Sequence, residues 1–156
     1  MIESNESGKA GLIERLGGLI MRWQDATQRY DETVGEIFRL GPAERLCLSF
    51  LAGGPQPASA IARATRLTPA AVTALVDRLE ARNYVRRRPD PLDRRKVLVE
   101  AGAATEALIQ KAYLPLAQAG AAAFDQRSTE ELRIVADVLE QIIAIQDGMT
   151  EQLLAP

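Results

Sequence analysis

The N-terminal part of the chain carries a stripe of mostly apolar residues at alternating spacings of three and four. Its members are Ile13, Leu16, Ile20, Trp23, Thr27, Tyr30, Val34 and Ile37. This spacing predicts one long helix with a heptad seam along one side. Because such a seam on a long helix is typical of contact with another long helix, we expect it to form part of a dimer interface. Packing inside the chain's own core is the alternative.

A second helix is predicted to begin after Gly41, with Pro42 at its first position. Its inner face would consist of Ala43, Leu46, Cys47, Phe50 and Leu51. The segment Gly-Gly-Pro-Gln-Pro (53–57) predicts a loop. A short helix over residues 58–64, with Ile61 pointing inward, and a turn at Thr65-Arg66 are expected to follow.

The segment from Leu67 to Glu100 predicts a third helix of this group, followed by a sharp stop. Thr68 is a suitable N-cap and Pro69 suits the first helical position. Positions spaced i, i+3, i+4 and i+7 predict a buried stripe of Val72, Leu75, Val76 and Leu79. The opposite face is small, and it carries Ala70, Thr73, Ala74, Asp77, Arg78 and Ala81.

A β-hairpin is predicted directly after this helix. Asn83 tolerates the left-handed conformation that ends many helices. Strands are expected from Tyr84 and over residues 97–99, joined by a turn at Pro89-Asp90-Pro91. Two helices joined by a short turn and followed by a hairpin form a winged helix-turn-helix. The predicted fold is therefore mainly α with a small β wing.

Two further helices are predicted after the hairpin. The first is alanine-rich, runs from Ala101-Gly102 to about Phe124, and should be kinked by Pro115. A capping box, Ser128 to Glu131, begins the second. The apolar face of that last helix consists of Leu132, Val135, Ala136, Leu139, Ile142, Ile143 and Gln146. We expect residues 1–39 and 102–156 to form a dimerisation region and residues 40–101 to form the winged helix-turn-helix.

The distribution of charge changes the interpretation of the hairpin. The net charge of the 156 residues is only −2. However, ten cations face four anions between Arg63 and Lys96, whereas nine cations face seventeen anions elsewhere. A basic segment within an acidic protein is typical of a surface that binds a polyanion.

Several classes of function are disfavoured by composition. The chain has no His and one Cys, Cys47, which removes the common metal and nucleophile–base sites, and no glycine-rich phosphate loop is present. We therefore expect neither a cofactor nor a metal, and no enzymatic activity. Cys47 lies within an apolar pattern and is interpreted as a small buried hydrophobe, with a redox-sensing thiol as the alternative. Without an apolar run of membrane length or a signal peptide, the expected compartment is the cytoplasm.

A helix with a slim outer face beside a cationic hairpin suits double-stranded DNA. The helix can enter a major groove, while the hairpin tip can reach phosphates and the neighbouring minor groove. Two alternatives remain open at this point. The hairpin can be a solvated charged surface on an ordinary helical domain, or the chain can be a dimeric helical scaffold for protein interactions without DNA binding.

The order of these elements resembles the MarR (multiple antibiotic resistance regulator) family of bacterial winged-helix regulators. The sharpest similarity is the segment LVDRLEARNYVRRRPDPLDRRKVLV (75–99), which contains the family's Asp-x-Arg at Asp93 and Arg95. The resemblance implies that Arg95 enters the minor groove and that Asp93 orients it, and Arg87 falls on a family arginine. Three departures are visible: Arg66 and Asn83 replace frequent glycines, and Ala101-Gly102 replaces a Leu-Thr pair, so a cap is missing there and we expect fraying.

We accordingly predict a dimeric, sequence-specific DNA-binding transcriptional regulator, as a homodimer on double-stranded DNA and acting as a repressor. Direct base readout should be modest, because alanines contact only thymine methyl groups and few polar side chains are present. The predicted DNA-contacting residues are Thr68, Ala70, Thr73, Ala74, Arg78, Arg88, Asp93, Arg94, Arg95 and Lys96. Asp77 would repel phosphate unless a cation such as Arg78 neutralises it.

A ligand site is a further expectation. The family resemblance implies a cleft, often used by small anionic aromatics, between the DNA-binding lobe and the dimerisation helices. Candidate lining residues for a small aromatic or anionic effector that releases DNA are Arg22, Trp23, Arg29 and Tyr30. The alternative is that Trp23 and Tyr30 are ordinary interface hydrophobes, because both lie on the heptad seam.

Overall fold

The structure is a computed structural model that describes residues 8–93 and 96–155. The element order is α1 (Lys9–Phe38), α2 (Pro42–Leu51), β1 (Gln56–Pro57), α3 (Ala58–Thr65), α4 (Pro69–Ala81), β2 (Val85–Pro89), β3 (Val97–Ala101), α5 (Ala103–Leu108), a π-helical segment (Ile109–Tyr113), α6 (Leu114–Phe124) and α7 (Thr129–Leu154). The chain divides into two compact units, with the boundary between Ala112 and Tyr113. The first contains the predicted winged helix-turn-helix, and the second contains α6 and α7.

The sheet has three antiparallel strands in the order β1-β3-β2. The β2–β3 ladder runs from Val85 opposite Ala101 to Pro89 opposite Val97, which confirms the predicted hairpin. The prediction of a simple loop over 53–57 is wrong, because Gln56 and Pro57 pair with Val99 and Leu98 as a third strand. A two-residue strand is too short to show a period of two, so its pairing depends on β3.

The core of the first unit forms where α2, α3 and α4 pack on the inner face of the sheet. Its fully buried side chains are Cys47, Ile61, Val72, Leu75, Val76, Leu79 and Val85. The predicted stripe on α4 is therefore confirmed. On α2 the prediction is partly wrong, because Leu46 is 47% exposed whereas Leu48 is buried. The buried positions Cys47, Leu48 and Leu51 define a face rotated away from Leu46.

The α4 helix ends as the sequence predicts. Asn83 has a φ of 59°, in the left-handed region. Its N–H donates to the carbonyl oxygen of Glu80, and the N–H of Tyr84 donates to that of Leu79, both at 2.9 Å. This is a Schellman motif, and it turns the chain directly into β2. Arg66, between α3 and α4, also adopts a left-handed φ of 54°.

The junction between β3 and α5 is tied down, and the expected fraying there is wrong. The N–H of Gly102 donates to the carbonyl oxygen of Tyr84 at 2.8 Å, and that of Ala104 donates to Asn83 at 2.9 Å. The hydroxyl of the buried Thr105 also donates to the Tyr84 carbonyl, at 2.5 Å. Gly102 makes this possible because it allows the two backbones to approach closely, while α5 begins without a side-chain cap, as the sequence predicts.

The predicted interruption at Pro115 is found one turn before the proline. The π-helical segment Ile109–Tyr113 precedes α6, in which Pro115 occupies the first turn. Because Pro115 has no N–H and its ring crowds the carbonyl one turn back, regular α-helical bonding cannot continue through this point.

The capping box at the start of α7 is confirmed. The Ser128 hydroxyl accepts from the N–H of Glu131, and the Ser128 N–H donates to the Glu131 carboxylate at 2.8 Å. These hydrogen bonds lower the pKa of Glu131. Over the part of the chain that the structure describes, no helix is both long and apolar enough to span a membrane.

Candidate nucleic-acid interface

The outer face of α4 is flat and lined by short side chains. Ala70, Thr73, Ala74, Asp77 and Arg78 are all exposed on it, as the helical period predicts. The two threonine hydroxyls on and beside this face are already engaged locally. Thr68 accepts from the N–H of Ala71 at 3.3 Å as the N-cap, and Thr73 donates to the Pro69 carbonyl at 3.1 Å. Because the side chains on this face are short, the backbone of α4 can come close to a binding partner.

Arg87 on β2 holds the two carboxylates that α4 presents toward the hairpin. Its guanidinium donates to Asp77 Oδ1 at 2.6 Å and also pairs with Glu80 Oε2. The Arg87 N–H donates to Glu80 Oε1 at 2.9 Å. Burial by itself would lower the pKa of Arg87. The two carboxylates outweigh this effect, so the pKa of Arg87 is raised above its ordinary value. Arg87, and not the predicted Arg78, is therefore the cation that neutralises Asp77.

The Arg78 guanidinium points instead toward α2. Its Nε lies 3.8 Å from Glu44 Oε1. The Glu44 carboxylate also accepts from the Gly41 N–H at 2.9 Å, so it caps α2 at the same time. With 61% of its side chain exposed, Arg78 remains accessible on the α4 face.

The opposite face of the hairpin carries a second charged cluster. Arg86 and Arg88 both lie on the same side of β2, and each Nε is 2.7 Å from a carboxylate oxygen of Glu100 on β3. Arg88 is a predicted DNA contact, and the structure gives it an ionic partner, Glu100, on the neighbouring strand. No local sequence pattern indicates Glu100, because its pairing depends on strand register.

The tip of the wing is a closed loop. The N–H of Asp90 donates to the Lys96 carbonyl at 2.9 Å, and the N–H of Lys96 donates to the Asp93 carbonyl at 2.8 Å. Lys96 Nζ lies 3.6 Å from Asp93 Oδ2. The predicted contacts Arg94 and Arg95 lie outside the described residues. Asp93 and Lys96 are thus brought together at the tip.

A third polar cluster ties α4 to the end of α1. The Arg82 guanidinium donates to the carbonyl oxygens of Arg39 at 2.9 Å and Phe38 at 2.7 Å. It also lies 4.9 Å from the centroid of the Tyr84 ring, whose hydroxyl donates to the same Phe38 carbonyl at 3.2 Å. No local sequence pattern indicates this cluster, since Phe38 and Arg39 lie more than forty positions before Arg82 and Tyr84.

The predicted ligand residues are only partly brought together. Trp23 lines a cleft of about 560 Å³ beside α2. Arg22 and Arg29 are exposed on α1 and do not line it, and the Tyr30 hydroxyl donates to the Ala112 carbonyl at 2.6 Å. The remaining lining residues are Gln24, Thr27, Gln28, Asp31, Glu32, Pro42 and Arg45.

Cys47 has the environment of a core residue. It is fully buried, and this burial, with a smaller effect of Glu44, raises the pKa of its thiol from the ordinary 9.0 to about 11. A reactive thiol needs a lowered pKa and access to solvent. The structure therefore favours the interpretation of Cys47 as a buried hydrophobe.

The sequence profile of the MarR family matches residues 40–96, from the start of the helix-turn-helix through the wing. Over this segment the chain is similar to the MarR family. It is 35% identical over 95 residues to the uncharacterized HTH-type transcriptional regulator YcgE of Bacillus subtilis, a match covering 56% of the chain and 62% of YcgE. The chain thus matches less than two thirds of that relative's length.

Further comparisons bear on the family's activity and fold. The HTH-type transcriptional repressor NicR of Pseudomonas putida is 40% identical over 65 residues, which are 42% of the chain and 40% of NicR. The crystal structure of a MepR mutant from a multidrug-resistant S. aureus isolate superimposes with a TM-score of 0.64 at 17% identity, over 84% of the chain and 96% of MepR. A different MepR mutant, bound to an oligodeoxyribonucleotide, gives 0.53 at 18% identity, over 82% and 94%. These likenesses establish the winged-helix fold.

Proposed function

We propose that this chain is a homodimeric, sequence-specific DNA-binding transcriptional regulator of the cytoplasm that acts as a repressor and is released from DNA by a small molecule. Residues 40–101 form the DNA-binding domain, and residues 1–39 and 102–156 supply the dimerisation region. NicR, a repressor by name, and MepR, solved with an oligodeoxyribonucleotide, support this assignment.

The observation that carries the proposal is the flat outer face of α4 beside the basic wing. A B-DNA major groove is about 12 Å wide, and an α-helix with its side chains is about 10–12 Å across. With Ala70 and Ala74 at its centre, α4 can seat its backbone deeply in such a groove. Thr68, Thr73 and Arg78 then supply the polar contacts, and Arg88, Asp93, Arg94, Arg95 and Lys96 form the wing's contribution.

The exposed apolar surface of the long helices supports the dimer. Within the described residues, α1 exposes Leu12, Ile13, Leu16, Leu19, Met21, Trp23 and Ile37, and α7 exposes Ile134, Val135, Val138, Leu139, Ile143, Ile145, Met149, Leu153 and Leu154. Large apolar side chains recur along each of these helices, and monomeric proteins rarely leave large apolar patches in water. We infer that a second copy packs against both helices. A dimer would present two recognition helices to successive major grooves, about 10 bp apart.

The proposal is tested by selecting duplexes that bind the full chain from a random-sequence DNA library. The enriched sequence is expected to be near-palindromic, and the mass of the free protein by analytical ultracentrifugation is expected to be that of a dimer. Fluorescence anisotropy over a salt series should show a steep log–log dependence of affinity on salt, because phosphate contacts release counterions. A helical scaffold would enrich no duplex and would bind no DNA even at low salt.

Arg87 provides a more specific prediction. The Arg87→Gln substitution leaves Asp77 without its cation on the face proposed to meet DNA. The affinity for the selected duplex should therefore fall about tenfold. Because Asp77 is 59% exposed, solvent screening limits the effect to this size. Adding Asp77→Asn should restore most of the affinity.

Arg86→Gln is the matched control, since it makes the same change on the other face of β2, where the partner is Glu100. Its affinity should stay within about twofold of the wild type. A double variant no better than Arg87→Gln would show that Arg87 acts on DNA directly or through hairpin stability, and not by neutralising Asp77. Anisotropy and thermal melting of the same samples separate these outcomes.

The cleft beside Trp23 is the proposed effector site. It carries two carboxylates, Asp31 and Glu32, and one guanidinium, Arg45. This balance suits an aromatic ligand without negative charge better than the anionic aromatic expected from the family resemblance. A thermal-shift comparison of phenolic acids with neutral and cationic aromatics of similar size tests this preference, and dissociation of the selected duplex by the stabilising compound tests release.

A further inference from the structure

Leu92 sits at the tip of the wing with 95% of its surface exposed to solvent. Among the large apolar side chains of the described residues, none is more exposed. It lies between Asp90 and Asp93 in the sequence, and it contributes nothing to the core. A leucine held in water at this position has no structural explanation within the chain.

The backbone that carries Leu92 is fixed. Pro89 and Pro91 each lock one backbone dihedral angle on its N-terminal side. The N–H of Leu92 donates to Asp90 Oδ1 at 2.8 Å, and the Asp90 N–H closes the loop onto Lys96 at 2.9 Å. Because these contacts restrain the backbone at Leu92 itself, little conformational entropy is lost there when Leu92 meets a binding partner.

The neighbouring charges identify what kind of surface this leucine meets. The wing arises from the basic segment of the chain, with Lys96 exposed at the tip. An exposed leucine surrounded by polar and charged side chains is poorly suited to a protein core. It is well suited to the minor groove, where proteins insert apolar side chains between base steps while cations hold the flanking phosphates.

We propose that Leu92 is an apolar wedge that enters the minor groove, partly unstacks one base step and bends the DNA at each edge of the binding site. This inference rests on the proposed DNA-binding function and adds a source of specificity to it. Pyrimidine–purine steps such as TA and CA/TG unstack most easily. The preferred DNA should therefore carry one such step under each wing. Leu92 makes no directional hydrogen bond to the bases, so the step is selected by how easily it deforms.

Such a wedge would offset the limited direct readout offered by α4. Its central residues Ala70 and Ala74 can recognise only thymine methyl groups. A deformable step at a fixed distance on each side of the recognition helices would let the dimer discriminate between sequences by the free energy of bending.

Three variants of the full-length dimer test the wedge on the duplex enriched by selection. Leu92→Ala should bind about tenfold more weakly, as expected for losing part of a buried leucine side chain, and should bend the DNA less. Leu92→Met, which keeps an apolar side chain of similar length, should retain both properties. Neither change should alter the salt dependence, because no phosphate contact is lost. Leu92 is almost fully exposed, so all three variants should fold.

Leu92→Lys, the third variant, distinguishes a side chain inserted between bases from one that only lies near the DNA backbone. If residue 92 only lies near the DNA backbone, the lysine would gain a phosphate contact. Binding would then tighten, and the log–log salt slope would steepen by about one unit. A wedge position should instead lose bending. Bending is measured by energy transfer between dyes at the two duplex ends, and unstacking by 2-aminopurine fluorescence at the step under the wing.

A selected consensus lacking a pyrimidine–purine step at the wing positions, or wild-type bending and affinity in Leu92→Ala, would overturn the wedge. These results differ from failure of the proposed function, in which selection with the wild-type protein enriches no duplex at all. A duplex in which the step is replaced by a stiff A-tract provides the DNA-side control. On it, the wild type should lose affinity to the level of Leu92→Ala.

Discussion

Ala74→Glu is expected to abolish specific DNA binding, with a loss of affinity of about a hundredfold or more. Ala74 lies at the centre of the exposed face of α4, one turn after Ala70. A glutamate there adds both length and negative charge where the helix must approach the bases and phosphates. Like charges brought together at an interface cost several kcal/mol, and a hundredfold corresponds to about 2.7 kcal/mol.

Anisotropy on the selected duplex measures this effect, and far-UV circular dichroism with thermal melting monitors the fold. Because Ala74 is exposed and glutamate is a good helix former, the melting temperature should change little. Ala74→Gln is the matched control, since it adds nearly the same volume without the charge and should have an intermediate affinity. Undiminished binding by Ala74→Glu would mean that another surface of the protein meets DNA.

Gly102→Ala is expected to destabilise the first unit by about 2 kcal/mol or more, typical of an overpacked contact that the backbone must absorb. A Cβ at this position would lie 2.5 Å from the carbonyl oxygen of Asn83 and 3.2 Å from the carbonyl carbon of Tyr84. Both neighbours are backbone atoms held by the Schellman motif. Relief of the clash would require separating β3 from the end of α4.

Gly18→Ala on α1 is the matched control, and its expected effect has the opposite sign. Nothing lies within 4 Å of a Cβ at Gly18, which occupies an exposed position inside a helix. Alanine should therefore stabilise the chain by about 0.5–1 kcal/mol through its higher helix propensity. Chemical denaturation of the two variants at equal protein concentration measures the contrast. Equal stability of Gly102→Ala and wild type would show that the junction relaxes without cost.

The proposed DNA-binding surface carries fewer unpaired cations than its sequence suggests. Arg87 is paired with Asp77 and Glu80, and Arg88 is paired with Glu100. Since these pairs are partly exposed, each contributes little to stability. If the chain binds DNA as proposed, fewer cations remain available to phosphates, and we expect a lower nonspecific affinity.

Local sequence patterns determined most of the fold. The period of α4 predicted its buried stripe and its exposed face, Thr68 and Pro69 predicted where it begins, and Asn83 predicted where it ends. The capping box at Ser128 and the interruption before Pro115 followed in the same way. These features depend on backbone hydrogen bonds and side-chain spacing within a few residues, which is why one sequence suffices to predict them.

Only the tertiary structure decided which charged groups pair and where the chain's close contacts fall. The pairing of Arg87 with Asp77, the contact of Gly102 with Asn83 and the third strand at Gln56 all join segments whose distance depends on the complete packing of the unit. Hydrophobic periodicity specifies which face of an element is buried, but not what it is buried against. The register of a ladder and the direction of an arginine are fixed only when the neighbouring elements are in place.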